Sequence, residues 1–128
     1  DVYKRQEDAL ASATQLVRRY GCVVAISDPV DHILDADRHV IVSSGHEWMT
    51  RVTGVGCSLG ALTAAFAGIQ NDHLIAAVSA TAMLCVAAER AAERSAGPGA
   101  FAQALVDELF PVSPDEVGER GGLRDVTA

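Results

Sequence analysis

Aromatic residues make up only 5% of this 128-residue chain, and its three cysteines, Cys22, Cys57 and Cys85, lie far apart. So few cysteines, so widely spread, do not form the disulfide scaffold of a small secreted domain. No apolar run reaches the roughly 20 residues that a bilayer-spanning helix needs. The longest, Leu74 to Ala88, contains Ser79 and Thr81 and reads as a buried helix. Positive charge is also scarce: 10 Lys and Arg stand against 17 Asp and Glu, a formal net charge of −7. Binding to nucleic acid or an anionic membrane needs clustered positive charge, so neither is expected as a partner. No initiator Met and no signal peptide are visible, and a soluble, cytoplasmic protein is the expectation. What is present, 49% hydrophobic residues over this length, fits one compact domain with a real core.

Residues 1–6 look unlike the start of a native element and are expected to be a non-native junction. From Glu7, the residues Leu10, Ala13, Leu16, Val17 and Tyr20 recur at helical spacing, and Gly21 supplies a stop. The apolar run Cys22–Ile26 suits a central strand covered on both faces. His32–Leu34 and His39–Val42 flank a turn-rich Asp35–Arg38 and predict a hairpin. From Ser58 the pattern is helical, with Leu59, Leu62, Phe66 and Ile69 on one face and Gly60, Ala64 and Gly68 on another, so this helix is expected to be buried. Asn71-Asp72 caps a further helix from about His73 to Arg94. Phe101 to Phe110 forms a last one, with Phe101, Leu105 and Leu109 beside Ala102 and Val106 as its apolar face. After Pro111 the chain is charged, glycine-rich and poor in apolar residues, so 111–128 is expected to be a flexible tail.

The chemistry concentrates in Thr53-Gly54-Val55-Gly56-Cys57-Ser58, directly before a helix. Two glycines let the backbone turn sharply and approach a ligand closely. The first helical turn presents unpaired amides, and its dipole favours negative charge, so the segment makes an anion cradle. It is not a Walker A loop, because Gly-x-x-x-x-Gly-Lys-Ser/Thr is absent. Taken alone, a Gly-x-Gly before a helix is equally a tight turn with no ligand. Cys57 reads either as a proton acceptor or as a small packing residue on the first turn. His32, His39 and His46 lack ligand spacing, and no metal site is expected of them. Asp28 and Asp31 read as turn and cap residues, with Mg²⁺ binding as the alternative. Cys22 and Cys85 read as buried small hydrophobes, and Glu89, Arg90, Glu93 and Arg94 as a solvated helix face.

The stretch Met49 to Ala61 (MTRVTGVGCSLGA) resembles the hydroxyethylthiazole kinases, members of the ribokinase-like superfamily. Val24-Ala25-Ile26-Ser27 with Val30-Asp31 resembles that family's strand and nucleotide-contacting loop. Ser43-Ser44-Gly45-His46 resembles its Asn-Gly-His segment, and Ala87-Ala88-Glu89 with Gly97-Pro98-Gly99-Ala100-Phe101 its late helix and Gly-Pro-Gly turn. The resemblance runs in order from Glu7 to about Phe110. It implies an α/β fold, with residues 7–110 as the C-terminal part of a ribokinase-like domain: helices packed on a mostly parallel sheet with a β-hairpin. One strand and one hairpin against four helices is what a piece of a larger sheet would show.

The resemblance further implies transfer of a phosphoryl group from ATP to the hydroxyl of 4-methyl-5-(2-hydroxyethyl)thiazole, with Mg²⁺ on the phosphates, in a homotrimer. The alternatives are another kinase of that superfamily, acting on a pyrimidine or pyridoxal alcohol, or a catalytically dead remnant. By likeness Ser27 stands where the family has a Thr contacting ATP, and Thr53, Val55 and Gly56 belong to the phosphate-binding loop. Gly54 matches the glycine whose backbone approaches the thiazole, and Cys57 the position where superfamily relatives place an Asp acting as base. Two departures stand out: Asp28 replaces a common Gly, and Val55 a residue that is often Thr.

Overall fold

In the computed structural model, which describes residues 2–128, the helical spacing of Leu10, Ala13 and Val17 becomes α1 (Val2–Tyr20). This helix already includes residues 2–6, and Gln6 Nε2 lies 3.0 Å from His32 Nε2. Gly21 ends it at φ +61, its amide donating to Val17 O. Next come β1 (Val24–Ile26), β2 (Asp31–Leu34) and β3 (His39–Val42). The predicted hairpin between the last two is present in the register Leu34 opposite His39. Asp35 makes its turn: Oδ1 accepts from the amides of Asp37 and Arg38 at 2.9 and 2.7 Å.

A 3₁₀ turn (Glu47–Thr50) leads to α2 (Val55–Ile69), α3 (His73–Glu93), α4 (Pro98–Leu109), α5 (Pro114–Arg120) and β4 (Leu123–Asp125). Asp72 caps α3 as its position predicts, with Oδ1 accepting from Leu74 N and Ile75 N. By length and composition α3 could cross a membrane, yet 67% of its most apolar stretch is buried within the fold. On α4, Phe101 and Leu105 are buried, whereas Ala102 and Val106 are exposed.

The sheet differs from expectation. Its four strands run in the order β1-β2-β3-β4, every pair antiparallel, so no parallel pair occurs among the described residues. Parallel neighbours require a crossover of a dozen or more residues, whereas only residues 27–30 and 35–38 separate the first three strands. The expected central strand at Cys22–Ile26 is instead an edge strand of three residues, with Ala25 exposed. Cys22, just past the end of α1, is exposed too, rather than buried.

Both faces of the sheet are covered, as the period-2 alternation of side chains requires. Ile33 and Val42 pack with Leu74, Ala77, Ala82 and Cys85 of α3, while Leu34 joins Ala13 and Val17 of α1 on the other face. A second cluster, around Phe101, Leu84 and Ala88, sits between α3 and α4.

The expected tail is folded as well. Ser113 Oγ accepts from Glu116 N, Pro114 opens α5, and acidic residues fill its first turn, all start signals that composition alone overlooks. Val117 then packs on the α3 core, and β4 pairs with β3.

Candidate functional site

The helix α2 starts at Val55, earlier than the predicted Ser58, because Gly54 makes the turn at φ +97, a left-handed conformation that side chains other than glycine rarely adopt. No side chain caps this end. The first intrahelical bond runs from Ser58 N to Gly54 O at 2.9 Å, so the amides of Val55, Gly56 and Cys57 precede the helix's own ladder. A Cβ added at Gly54 or Gly56 would meet nothing within 4 Å, which leaves the approach to these amides open. Open amides at the positive end of a 15-residue helix favour negative charge there.

Beside them lies a cavity of about 550 Å³, within the range of small-molecule sites. Ser27, Asp28 and Pro29 form one rim, Ser43 to Glu47 a wall, and Val55, Gly56 and Leu59 the α2 side. Thr81, Leu84 and Cys85 of α3 form the floor. Ser27, Val55 and Gly56 are thus brought together around one space. Thr53, Gly54 and Cys57 are exposed beside it and do not line it. Val55 reaches the cluster around Leu84 and Phe101, so its branched side chain faces packed residues as well as the cavity.

Asp31 is a cavity residue that its expected turn role only half describes. Its Oδ1 accepts from Asp28 N at 3.1 Å, closing the rim, while Oδ2 accepts from the Cys85 thiol at 3.5 Å. Burial raises the Asp31 carboxyl above the ordinary range, partly offset by the Asp28 amide and the Cys85 thiol. Burial, with the carboxylate beside it, pushes Cys85 up to about 12, so this thiol is a protonated donor and not a nucleophile. The sequence carried a signal for this: Asp31 and Ile33 alternate onto the same face of β2, and that face meets α3.

His46 caps the 3₁₀ turn through Nδ1, accepting from Trp48 N at 3.2 Å. Its ring stands edge-on to Trp48, which in turn packs edge-on against Phe101. The Gly-His and Gly-Pro-Gly-Ala-Phe segments, about 50 residues apart in sequence, are in this way joined through aromatic contact behind the cavity. His32 and His39 are elsewhere, with His32 Nδ1 2.9 Å from His39 Nε2 on the sheet.

The expected solvated face of α3 is instead an ion-pair network between elements. Glu108 of α4 is buried, and its carboxylate takes Arg90 Nε at 2.6 Å and Arg94 Nη1. Arg90 also holds Glu116, and Arg120 holds Glu89 and Glu93. These pairs cross from α3 to α4 and α5, which helical spacing along α3 alone does not reveal. Among the described residues no three His, Cys, Asp or Glu side chains converge on one point, so there is no all-protein cage for a metal. Mg²⁺ needs only one or two carboxylates beside substrate phosphates, and Asp28 and Asp31 line the cavity.

Residues 1–115 match the model of the Hydroxyethylthiazole kinase family. A hydroxyethylthiazole kinase of Cutibacterium acnes is 96% identical over 122 residues, which cover 95% of this chain and 44% of that protein. One from Clavibacter sepedonicus is 49% identical over 119 residues, covering 93% and 43%. The solved structure of a hydroxyethylthiazole kinase protein from Pyrococcus horikoshii OT3 superposes with a TM-score of 0.88 at 33% identity, over 96% of this chain and 48% of that one. The chain therefore spans less than half the length of the curated relatives it matches, and it belongs to the hydroxyethylthiazole kinase family.

Proposed function

We propose that this chain forms part of a kinase that transfers a phosphoryl group from ATP to the hydroxyl of 4-methyl-5-(2-hydroxyethyl)thiazole, in thiamine salvage. The observation that carries the reading is the uncapped start of α2 at Gly54, next to a cavity that Ser27, Val55 and Gly56 line. Phosphoryl transfer is mostly positioning and charge stabilisation, and open helix amides suit the charge on a transferring phosphoryl group. In this reading the amides of Val55 and Gly56 receive that group, with Thr53 at the edge of the loop, and Ser27 donates its hydroxyl to ATP. Gly54 leaves its backbone free to meet the thiazole. The substrate oxygen attacks the γ-phosphorus, the bond to ADP breaks, and the hydroxyl proton passes to Cys57 on the first turn of α2. Mg²⁺ would neutralise the phosphates when bound.

The same reading takes the sheet to be one edge of a larger, mostly parallel ribokinase-like sheet. The edge of β1 away from β2 pairs with no strand among the described residues, which supports this placement. It also takes the whole protein to be a cytoplasmic homotrimer, in keeping with the exposed apolar surface of α2.

The test is Gly54→Val in the full-length protein that carries this segment. A branched side chain at φ +97 adds about 1–3 kcal/mol of backbone strain and stands where the ligand must approach. Thiazole-dependent ATP consumption is expected to disappear while most of the protein stays folded. Near-normal turnover would remove Gly54 from the site. In the same assay Cys57→Ala is expected to retain slow transfer and Cys57→Asp to be active, since electrostatic positioning survives the loss of one proton acceptor.

A further inference from the structure

We propose that Glu89 and Arg120 are positioning residues that hold the Ser43–His46 wall of the cavity from behind and so set its affinity for the nucleotide. The proposal rests on reading the cavity as a kinase site, in which this wall lines the same space as Ser27, the residue taken to contact ATP.

Three successive residues of the wall are tied to distant parts of the chain. The Gly45 amide donates to Glu89 Oε1 at 3.1 Å. Ser44 Oγ donates to Gly121 O at 2.8 Å, and Ser43 donates to Gly122 O through both Oγ, at 3.0 Å, and its amide, at 3.2 Å. Glu89 uses its second oxygen on Arg120, which donates from Nη2 at 3.2 Å and is itself held by Glu93 at 2.7 Å. A single ion pair thus links the wall amide to the end of α5, immediately before the two glycines that anchor the serines.

Gly45 stands at φ +115 and has no side chain to fix it, so its place depends on what accepts its amide. A Cβ there would come within 3.4 Å of Cys85 Sγ and Met49 Sδ, so the turn is packed against the floor with little room to shift inward. Neither Glu89 nor Arg120 lines the cavity. They border a shallow depression on the other side of His46 and act on the site only through the wall. Residues 120–122 also lie beyond residue 115, where the family match ends.

The experiment uses the full-length protein, with KM for ATP, KM for the thiazole alcohol, kcat, and calorimetric affinity for a non-hydrolysable ATP analogue as readouts. Glu89→Leu leaves the Gly45 amide without its acceptor. KM for ATP and the analogue's dissociation constant are expected to rise about tenfold, the order of a lost hydrogen bond to a charged group. The expected kcat and KM for the alcohol stay within about twofold. Glu89→Gln keeps an acceptor oxygen for Gly45 and loses the ionic attraction to Arg120, so it should give an intermediate loss of about threefold in nucleotide affinity; Arg120→Leu, which removes the same attraction, should match it. A purely structural role would lower melting temperature and leave both KM values unchanged, and unchanged nucleotide affinity in folded Glu89→Leu overturns the proposal. If Glu89→Leu does not fold, Gly122→Ala presses the same wall from outside the ion network, because its Cβ would collide with Ser43 Oγ. That variant must also weaken nucleotide binding, or the proposal falls. The kinase reading fails separately: unsubstituted protein that binds the analogue but shows no thiazole-dependent turnover refutes the activity, while the wall is still judged by analogue affinity. No analogue binding by the unsubstituted protein refutes both.

Discussion

The helices α2 and α3 are both apolar nearly all round, yet they end in opposite environments. More than half of the 21 residues of α3 are buried, and none of the 15 in α2 is. The difference lies in their neighbours. The sheet, α2 and α4 surround α3, and α5 closes over its C-terminal half. By contrast α2 packs chiefly on α3, with Val55, Leu59 and Leu62 reaching the α3–α4 cluster, and leaves Ala61, Ala64, Ala65 and Ala67 exposed and Ile69 85% exposed. An apolar sequence tells how much a helix can bury and says nothing of whether a partner is at hand.

A matched pair of substitutions gives the largest test of that contrast. Ala80→Asp places a charge at a fully buried position of α3 and is expected to cost more than about 4 kcal/mol, enough to unfold the chain. Ala64→Asp on the open face of α2 should change stability by less than about 1 kcal/mol. It should also break up the self-association that an exposed apolar face favours. Thermal denaturation followed by circular dichroism reads the first effect, and sedimentation velocity on the 128-residue chain reads the second. Equal destabilisation by the two would mean that α2 is as buried as its sequence suggests.

Much of this architecture was legible beforehand, and the failures share a cause. The hairpin, the Asp72 cap and the Gly54 turn are local: a few adjacent residues carry both the signal and the interaction. What escaped depends on partners far along the chain. The Ser113-Pro114 start of α5 was visible, but the value of Val117 and Arg120 comes from α3, more than 20 residues away. Asp31 looked like a turn residue because its hydrogen bond to Asp28 is local, while Cys85 is 54 positions distant. The cavity itself was only partly readable, as a loop with no walls. Its floor on α3 and the anchors behind its wall belong to elements whose sequence speaks first of packing.

A smaller effect separates the two helices by pH. The network on α3 contains Glu108, whose carboxyl Arg90, and then Arg94, hold below the ordinary range despite its burial. A carboxyl lowered in the folded state contributes stability that is complete above its unfolded pKa, about 4.3, and is lost as pH falls through the folded value. Melting temperature should therefore drop between pH 6 and pH 3, and Glu108→Gln should flatten that drop while lowering stability at pH 6. No ion pair among the described residues involves α2, so substitutions on its open face should leave the acid limb unchanged. An acid limb equally steep in Glu108→Gln would assign the loss to other carboxylates.

The smallest effect is expected where the two helices meet the cavity. Val55 is the first residue of α2, half-buried, packed toward the α3–α4 cluster on one side and facing the cavity on the other. Val55→Thr keeps the branched shape and exchanges a methyl for a hydroxyl. In a closed core that exchange is poorly tolerated, because the hydroxyl lacks a partner. Here the cavity side is open, and a rotamer that turns the hydroxyl toward it leaves the remaining methyl on the cluster. The expected cost is below about 1 kcal/mol, and turnover in the full-length protein should change by less than about threefold. A loss of several kcal/mol would show that the first turn of α2 is packed as tightly as α3, and the line between the two environments would then have to be drawn after Val55 rather than before it.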